Sequence, residues 1–354
     1  MKYRNVLHFA DYGSPYKGNF ISSLEVLEKK LIDNYHILFY VFPNRTSKRK
    51  WAQDKENVSF LTGNFFKDRK ILKNLIKDKN IDIIHIHFYS FKTLLLFKTL
   101  KIKCKIIIHL HGMFPKYKGI KKCIMKKLFE GYNIIGCSNA VTDSFIYDNK
   151  KICIENAIYF PRLNKFCNMQ EFEKYSNNEK ILIFGYNYFI KGVDVTLEAI
   201  EKARREKNNI ICFVSISSNI ESFKENVVKK FGFFPDWIKI LKPINDITSY
   251  YKNCDIFISA SREEGFCYAI VEAAYVGCNI IASEIPAQKE LKIKNIYWFE
   301  SENSNELKNR ILECIKNKNS NSKKMLEQRK SIMNEYDIDK WAKDILDQYD
   351  KLSL

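Results

Sequence analysis

The sequence predicts an α/β protein with two doubly wound, parallel-sheet domains in tandem. Short apolar segments alternate with helical segments through the first half, and this alternation restarts after a polar stretch at 164–180. Such an alternation is typical of a parallel sheet that is covered by helices on both faces. With 354 residues, the chain is long enough for two domains that each bury a core.

The individual elements follow from apolar runs and from the residues that separate them. Apolar runs without a polar alternation indicate strands that are buried on both faces. In the first half the predicted strands lie at 5–10, 36–42, 82–87, 105–110 and 133–137, and the predicted helices lie near 20–33, 68–79, 91–100, 118–130 and 139–147. In the second half the predicted strands lie at 181–185, 210–217, 255–260 and 279–283, and the helix between the last two ends at Gly277.

These elements divide the chain into a first domain at 1–165 and a second domain at 166–335. The polar stretch at 164–180 is interpreted as a linker between them. A final helix, 336–354, carries apolar residues at helical spacing. From the sequence alone, this helix either crosses back to the first domain or caps the second.

The net charge of +18 lies entirely in the first half of the chain. Residues 1–170 contain 31 Lys and Arg against 13 Asp and Glu, whereas residues 171–354 contain 28 of each sign. A basic first domain attracts anions, such as nucleic acid, an acidic membrane or a phosphorylated substrate. No apolar run is long enough for a membrane-spanning helix, and the N-terminus does not resemble a signal peptide, so we expect a cytoplasmic protein.

Two glutamates mark the most informative segment of the chain. Glu264 follows the strand at 255–260, and Glu272 lies eight residues later, about one turn into the next helix. Ligands of open parallel sheets bind at the carboxyl ends of the strands. There, two carboxylates accept hydrogen bonds from hydroxyl groups, and the backbone N–H groups of 266–268 at the helix start attract an anion. Together these features predict a nucleotide sugar as the ligand.

At residues 261–277, SREEGFCYAIVEAAYVG, the chain resembles the family 4 (group 1) glycosyltransferases. Their E-x7-E motif is usually written S-x-x-E-G-F-G-L-P-x-x-E-A-x-A-x-G, and here Cys267 replaces a glycine while Tyr268-Ala269 replaces Leu-Pro. The resemblance implies the GT-B fold, with two Rossmann-like domains facing a cleft, and a retaining mechanism. It also implies that Glu264 binds donor-sugar hydroxyls and Glu272 the ribose diol, with further donor contacts from Gly265, Phe266, Cys267 and Tyr268.

The loop that opens the second domain is expected to bind the donor diphosphate. Lys191 precedes a helix at the end of the strand at 181–185, where its charge and the helix dipole both attract an anion. The family pattern here is G-R-x4-K-G, and this chain has Tyr186 in place of the arginine. Either Lys191 acts alone with backbone amides, or Asn187 or Arg262 takes the missing role. In the first domain, the resemblance assigns Gly18 to a glycine-containing loop near the donor phosphate.

Four histidines lie at or near strand ends, in DIIHIHF and IIIHLHGMF. A buried strand histidine is usually part of the core, but His111 ends its strand, and the family places a donor-sugar histidine there. His87 is the second choice. No carboxylate accompanies these histidines at ligand spacing, so no metal site is predicted. The patterns for nicotinamide and P-loop nucleotide binding are absent, and no cofactor is expected.

The segment 116–130, KYKGIKKCIMKKLFE, is a basic amphipathic helix. Such a helix either lies on an acidic membrane or packs its apolar stripe on the core while its lysines face water. The charge asymmetry favours the membrane. We therefore expect peripheral association with the inner face of the plasma membrane.

The resulting hypothesis is a retaining, metal-independent glycosyltransferase that acts in bacterial surface-polysaccharide synthesis. It would move a sugar from a nucleoside diphosphate, by resemblance most often UDP, to a glycan or polyprenyl-diphosphate-linked sugar. The alternatives are a nucleotide-sugar epimerase or soluble-sugar glycosyltransferase of the same fold, and a non-enzymatic binder of polyanions. Nucleic acid is disfavoured as a partner because the basic residues are not interleaved with aromatic ones as stacking platforms require.

Overall fold

A computed structural model of the chain describes residues 5–33, 37–216, 219–242, 244, 247–317 and 322–352. Its strands are β1 (Asn5–Ala10), β2 (Ile37–Pro43), β3 (Val58–Leu61), β4 (Ile81–His87), β5 (Lys105–Leu110), β6 (Asn133–Gly136), β7 (Lys151–Cys153), β8 (Glu179–Phe184), β9 (Ile210–Ser215), β10 (Ile238–Leu241), β11 (Ile256–Ser259), β12 (Asn279–Ser283) and β13 (Ile296–Phe299). Its helices are α1 (Gly18–Asp33), α2 (Lys50–Gln53), α3 (Phe65–Asp78), α4 (Phe91–Leu100), α5 (Gly119–Phe129), α6 (Asn139–Ser144), α7 (Gln170–Glu173), α8 (Val193–Glu206), α9 (Ile220–Phe231), α10 (Thr248–Asn253), α11 (Tyr268–Val276), α12 (Pro286–Lys289), α13 (Ser304–Lys316), α14 (Ser322–Glu335) and α15 (Ile338–Lys351).

The chain forms two compact units, each built on one parallel sheet. The first unit contains residues 1–157 and 337–354, and its sheet has the order β3-β2-β1-β4-β5-β6-β7. The second unit contains residues 158–336, and its sheet has the order β10-β9-β8-β11-β12-β13. Both orders reverse direction beside the first strand of the unit, which is the point where doubly wound sheets bind ligands. The predicted α/β class with two Rossmann-like domains is confirmed.

The last helix, α15, belongs to the first unit. Trp341, Ile345 and Tyr349 of α15 pack in one apolar cluster with α1 and with the strand residues Val6 and Ala10. The Lys30 ammonium of α1 also pairs with the Asp339 carboxylate at 2.9 Å. The alternative in which this helix only caps the second domain is therefore not the one that the structure adopts.

Several predicted boundaries differ from the structure. The first unit ends at 157 and not at 165, and the stretch 164–180 is no linker, because it contains α7 and the start of β8. Phe172 of α7 is buried and stacks on Phe213 with the ring centroids 4.3 Å apart. One buried aromatic residue in a polar segment gives too little periodicity to detect. The short strands β3, β7, β10 and β13 were not predicted either, because three or four residues are too few to show a period.

Some predicted features lie partly outside the described residues. These are the first residue of the strand at 36–42, the last residue of the strand at 210–217 and the ends of the chain. The helix stop at Gly277 is confirmed, since α11 ends at Val276 and Gly277 has φ +105°. No helix in the described residues is both long enough and apolar enough to span a membrane.

Candidate active site

The second unit places two loops side by side at the carboxyl edge of its sheet. These loops, 185–192 and 260–267, follow the neighbouring parallel strands β8 and β11. Gly192 has φ +61°, and a Cβ on it would lie 1.9 Å from the Ala260 carbonyl oxygen, so no other residue fits there. The Arg262 N–H donates to the Ile190 carbonyl at 2.8 Å. The two loops are therefore held together by their backbones.

Lys191 and Glu264 meet across these loops. The Lys191 Nζ donates to Glu264 Oε1 at 2.6 Å, and the Ser261 hydroxyl donates to the same oxygen, also at 2.6 Å. Both side chains are largely buried and line a small pocket together with Ser259 and Cys267. No residue in the described ranges donates to Glu264 Oε2. This oxygen can therefore still accept a hydrogen bond, while the other oxygen is held by a cation and a hydroxyl.

Tyr186, at the position of the family arginine, packs its ring against the Lys191 ammonium. The Lys191 ammonium lies 5.0 Å from the centre of the Tyr186 ring. Burial favours the neutral amine, but the interactions with Tyr186 and Glu264 outweigh it and raise the pKa of Lys191. Lys191 is therefore an ammonium at neutral pH. Asn187 is exposed, has φ +50°, and accepts a hydrogen bond from the Lys191 N–H through its carbonyl.

Arg262 does not provide a free cation for a diphosphate. Its guanidinium makes a bidentate pair with Asp194, with both distances 2.9 Å, and its Nε donates to Glu302 at 2.6 Å. It also stacks on Phe189, with the guanidinium carbon 3.9 Å from the ring centre. These contacts tie the loop after β11 to helix α8. The role of Arg262 at the diphosphate stays a prediction, and it would require these pairs to be shared with the phosphate oxygens or exchanged for them.

Glu272 lies in a separate, more buried environment. Its side chain is 6% exposed, and its Oε1 accepts from the Arg162 Nη2 at 2.7 Å. The Tyr251 hydroxyl donates to Oε2 at 3.3 Å. Arg162 belongs to a 3-10 turn, Phe160–Leu163, that lies 110 residues earlier in the chain. The sequence offered no local signal for this pair, because Arg162 lay in the predicted first domain and Glu272 in the second.

The start of α11 is packed more tightly than the sequence suggested. Phe266 is buried against Tyr268 and Tyr336, with ring centroids 5.0 and 5.8 Å apart. Cys267 is buried beside Ser259, and burial raises the pKa of its thiol to about 12. The Tyr268 N–H already donates to the Phe266 carbonyl at 3.0 Å. The structure therefore does not leave all three N–H groups of 266–268 open to an anion. Gly265 occupies a buried position in the preceding loop.

The other predicted site residues lie in the first unit. His111 follows β5 and stacks between Phe88 and His109, with both centroid distances 4.4 Å. Gly18 has φ +57° and begins α1, whose Phe20 contacts the His111 ring at 5.4 Å. Burial lowers the pKa of His111 to about 3, so this imidazole is neutral at physiological pH.

His111 is one of five histidines that share one face of the first sheet. His8, His85, His87 and His109 are fully buried beneath α1 and α15, and burial lowers the pKa of each. Nitrogen atoms of His87, His109 and His111 lie within 4.8 Å of one another, as do those of His8, His85 and His87. An all-imidazole set of this kind needs no carboxylate, which the sequence argument against a metal did not consider. The absence of a metal remains a prediction.

The second unit thus carries a paired lysine and glutamate at its sheet edge, and the first unit carries a histidine cluster. Residues 165–331 match the family model of group 1 glycosyl transferases. The match covers the second unit almost completely and includes Lys191, Glu264 and Glu272.

Relatives extend the similarity to the rest of the chain. An uncharacterized glycosyltransferase of Methanocaldococcus jannaschii is 27% identical over 370 residues, which cover 96% of each chain. The capsular polysaccharide biosynthesis glycosyltransferase CapH of Staphylococcus aureus is 27% identical over 233 residues, or 61% of this chain and 63% of that protein. The family match and the relatives together support a glycosyltransferase of group 1 type.

Solved structures agree on the fold. HepE of Anabaena, in complex with UDP, superposes with a TM-score of 0.79 at 16% identity and covers 98% of this chain and 100% of its own. A glycosyltransferase of Rickettsia africae superposes with a TM-score of 0.78 at 20% identity and covers 99% of both chains. The two parallel-sheet units are those of the GT-B fold.

Proposed function

We propose that this protein is a retaining, metal-independent glycosyltransferase that uses a UDP-sugar to extend a lipid-linked glycan in bacterial surface-polysaccharide synthesis. The observation that carries the proposal is the Lys191–Glu264 pair at the carboxyl ends of β8 and β11. UDP as the nucleotide is supported by HepE, which binds it in a similar fold. Polysaccharide synthesis is supported by CapH, a capsular enzyme with 27% identity.

In the proposed reaction, the Lys191 ammonium stabilises the diphosphate as it leaves, because negative charge develops there in the transition state. The open oxygen of Glu264 accepts a hydroxyl of the donor sugar and orients the anomeric carbon. Glu272 binds the ribose diol, and its pair with Arg162 holds the carboxylate in position. The acceptor hydroxyl attacks from the face that the diphosphate leaves, and it gives its proton to a departing phosphate oxygen. No covalent sugar–enzyme bond is required.

The test uses the full chain with a panel of nucleotide sugars and conservative variants. The true donor should raise the melting temperature, since ligand binding stabilises the folded state. We expect Glu264→Gln to keep UDP binding and lose about a hundredfold in transfer, and Glu272→Gln to weaken UDP binding about tenfold. Glu221→Gln, on the exposed side of α9, is the matched control. Wild-type donor affinity and transfer in both site variants would contradict the assignment.

The acceptor is proposed to be held at a membrane surface. Helix α5 exposes Ile120 and Ile124 among lysines, an arrangement suited to an acidic bilayer. We therefore propose peripheral association with the inner face of the plasma membrane, where polyprenyl-linked sugars are available. An assay with a polyprenyl-diphosphate sugar in vesicles, compared with a soluble sugar acceptor, distinguishes this acceptor class from the soluble one. Epimerised or hydrolysed donor without any transfer to either acceptor would favour the epimerase alternative.

A further inference from the structure

An open cavity lies in the first unit, at the edge of its sheet opposite to His111. It has a volume of about 860 Å³ and is lined at the amino ends of β5, β6 and β7 by Lys105, Asn133 and Lys150. Residues of α5 and the end of α15 complete its walls. Because β5 is six residues long, the cavity lies roughly 17 Å from the edge where His111 follows this strand. The cavity is therefore separate from the histidines of the candidate active site.

The walls of this cavity carry more positive than negative charge. Five lysines line it against two carboxylates, those of Glu130 and Asp148. Lys126 lies 3.6 Å from the Asp148 carboxylate, whereas the other four lysines form no ion pair in the part of the chain that the structure describes. Cations that share one cavity repel each other, and a bound anion removes this repulsion. The five lysines are Lys105, Lys126, Lys127, Lys150 and Lys351.

Helix α5 connects this cavity to the surface that is proposed to face the membrane. Ile120, Ile124 and Lys127 follow the spacing i, i+4, i+7, so they lie on one side of the helix, and Cys123 lies on the same side. Both isoleucines are exposed, while Cys123 and Lys127 line the cavity. A bilayer that takes up the two isoleucines would therefore have its headgroups beside the cavity.

We propose that this cavity binds the headgroup of an acidic phospholipid, of the phosphatidylglycerol type. The lysines attract the phosphodiester, and Glu130 and Asp148 accept hydrogen bonds from the glycerol hydroxyls. The cavity is far larger than a phosphate ion, and Tyr147 and Leu352 add apolar surface for the first carbons of the acyl chains. The role of this lipid at a membrane rests on the proposed function, whereas binding of the headgroup does not.

The test uses the exposed Cys123, which lines the cavity, and the exposed Cys167 of the second unit as an internal control. The full chain is alkylated with iodoacetamide, with and without dihexanoyl phosphatidylglycerol below its critical micelle concentration, and mass spectrometry follows each cysteine. We expect slower alkylation of Cys123 and unchanged alkylation of Cys167, although no bilayer is present. Equal protection of Cys123 by inorganic phosphate would assign the cavity to a free anion and overturn the proposal. Equal protection by dihexanoyl phosphatidylcholine, or none by any of the three, would also overturn it.

Two double variants separate the cavity from general attraction by the basic segment. Lys105→Gln with Lys150→Gln should weaken binding of the short-chain lipid about 25-fold, because each lysine near an anionic headgroup contributes about fivefold. Lys116→Gln with Lys121→Gln removes the same charge from the segment 116–130 outside the cavity, and it should leave this affinity unchanged. All four lysines are exposed, so both variants should fold, which their melting temperatures check. Equal losses in the two variants would contradict the proposal.

The same measurements separate this proposal from the proposed function. Protection of Cys123 by the short-chain lipid, in a protein that neither sediments with vesicles nor transfers a sugar, would refute only the proposed function. Sedimentation with anionic vesicles and transfer of a sugar, without protection of Cys123 by the short-chain lipid, would refute only the lipid site in the cavity.

Discussion

At the scale of single residues, the two motif glutamates occupy different electrostatic environments. Glu264 shares one oxygen with Lys191 and Ser261 and keeps the other open, whereas both oxygens of Glu272 have partners in Arg162 and Tyr251. Glu264 is thus the one with free acceptor capacity. Glu272 has more of its acceptor capacity occupied, because both of its oxygens already accept hydrogen bonds.

The contact between Lys191 and Glu264 predicts that their contributions to catalysis are coupled. Lys191→Ala should reduce kcat/KM about a hundredfold, because a charged contact to the leaving diphosphate typically contributes about 3 kcal/mol. Glu264→Gln should cause a similar loss, and the double variant should be little worse than either single one. Lys224→Ala, which breaks the exposed pair with Glu221 in the same unit, is the control. Losses that simply multiply would mean that the two residues act independently.

At the scale of elements, helix α5 shows that the apolar stripe of a basic helix can divide between core and surface. Leu128, Met125 and Phe129 are buried, but Ile120 is 81% exposed and Ile124 is 43% exposed. The lysines at 118, 121, 122, 126 and 127 are also exposed. The prediction that the whole stripe packs on the core is therefore excluded, and an exposed amphipathic surface remains for a membrane.

We predict that α5 binds acidic vesicles. The wild-type protein should co-sediment with anionic vesicles and not with neutral ones, and binding should fall as salt rises because exposed charges are screened over about 8 Å at physiological ionic strength. Ile120→Ser should weaken binding about tenfold or more, since a buried isoleucine contributes about 1.5–3 kcal/mol. Val228→Ser, at a 42% exposed position of α9, is the control. Equal binding by the Ile120 variant and the wild type would remove α5 from the membrane surface.

At the scale of the whole molecule, the difference in net charge between the two units is smaller than the difference between the two halves of the sequence. The first unit contains 32 Lys and Arg against 18 Asp and Glu, a net charge of +14, because α15 and its flanks bring five aspartates. The second unit has 27 against 23, a net charge of +4. The basic unit is still the first one, which is where the proposal places the acceptor.

The five histidines of the cluster in the first sheet predict that the first unit is labile to acid. Their pKa values in the folded protein lie well below 6.5, the value for His in the unfolded chain, so the unfolded state binds more protons below pH 6.5 and stability falls there. At pH 5.5 each histidine should cost about 1.4 kcal/mol, or about 7 kcal/mol together. This is comparable to the whole stability of a typical domain. The aromatic rings packed on the cluster are those of Phe20, Tyr40, Phe88 and Tyr349, and no carboxylate of the described chain forms an ion pair with an imidazole to offset the loss.

Urea unfolding at pH 7.5, 6.5 and 5.5 measures this effect. The free energy of unfolding should decrease steeply below pH 6.5. His109→Phe, which keeps a ring of similar size, should gain about 1.4 kcal/mol relative to the wild type between pH 7.5 and 5.5, because one proton fewer is bound on unfolding. Phe97→Leu, a buried ring elsewhere in the same unit, should shift stability equally at every pH. A flat pH dependence would show that the imidazoles are not buried as described.

The sequence by itself determined the features that depend on local pattern. Apolar runs and glycine stops predicted the main strands, the two sheets and the position of Glu264 and Lys191 at strand ends. These features depend on residues that are neighbours in the sequence. Short half-polar strands such as β3 and β7 were not predicted, since three or four residues are too few to show a period. The motif at 261–277 indicated the family that residues 165–331 match.

Only the tertiary structure decided which distant residues meet. The order of strands brings Lys191 to Glu264 and the turn at Arg162 to Glu272, across 73 and 110 residues. It also aligns five histidines on one face and adds Tyr349 from the last helix, 341 residues after His8. Composition and periodicity do not predict these contacts between distant residues, because the same local pattern is compatible with many orders of the strands in a parallel sheet. The hydrogen-bond and ion-pair partners of the site residues are therefore decided by the tertiary structure alone.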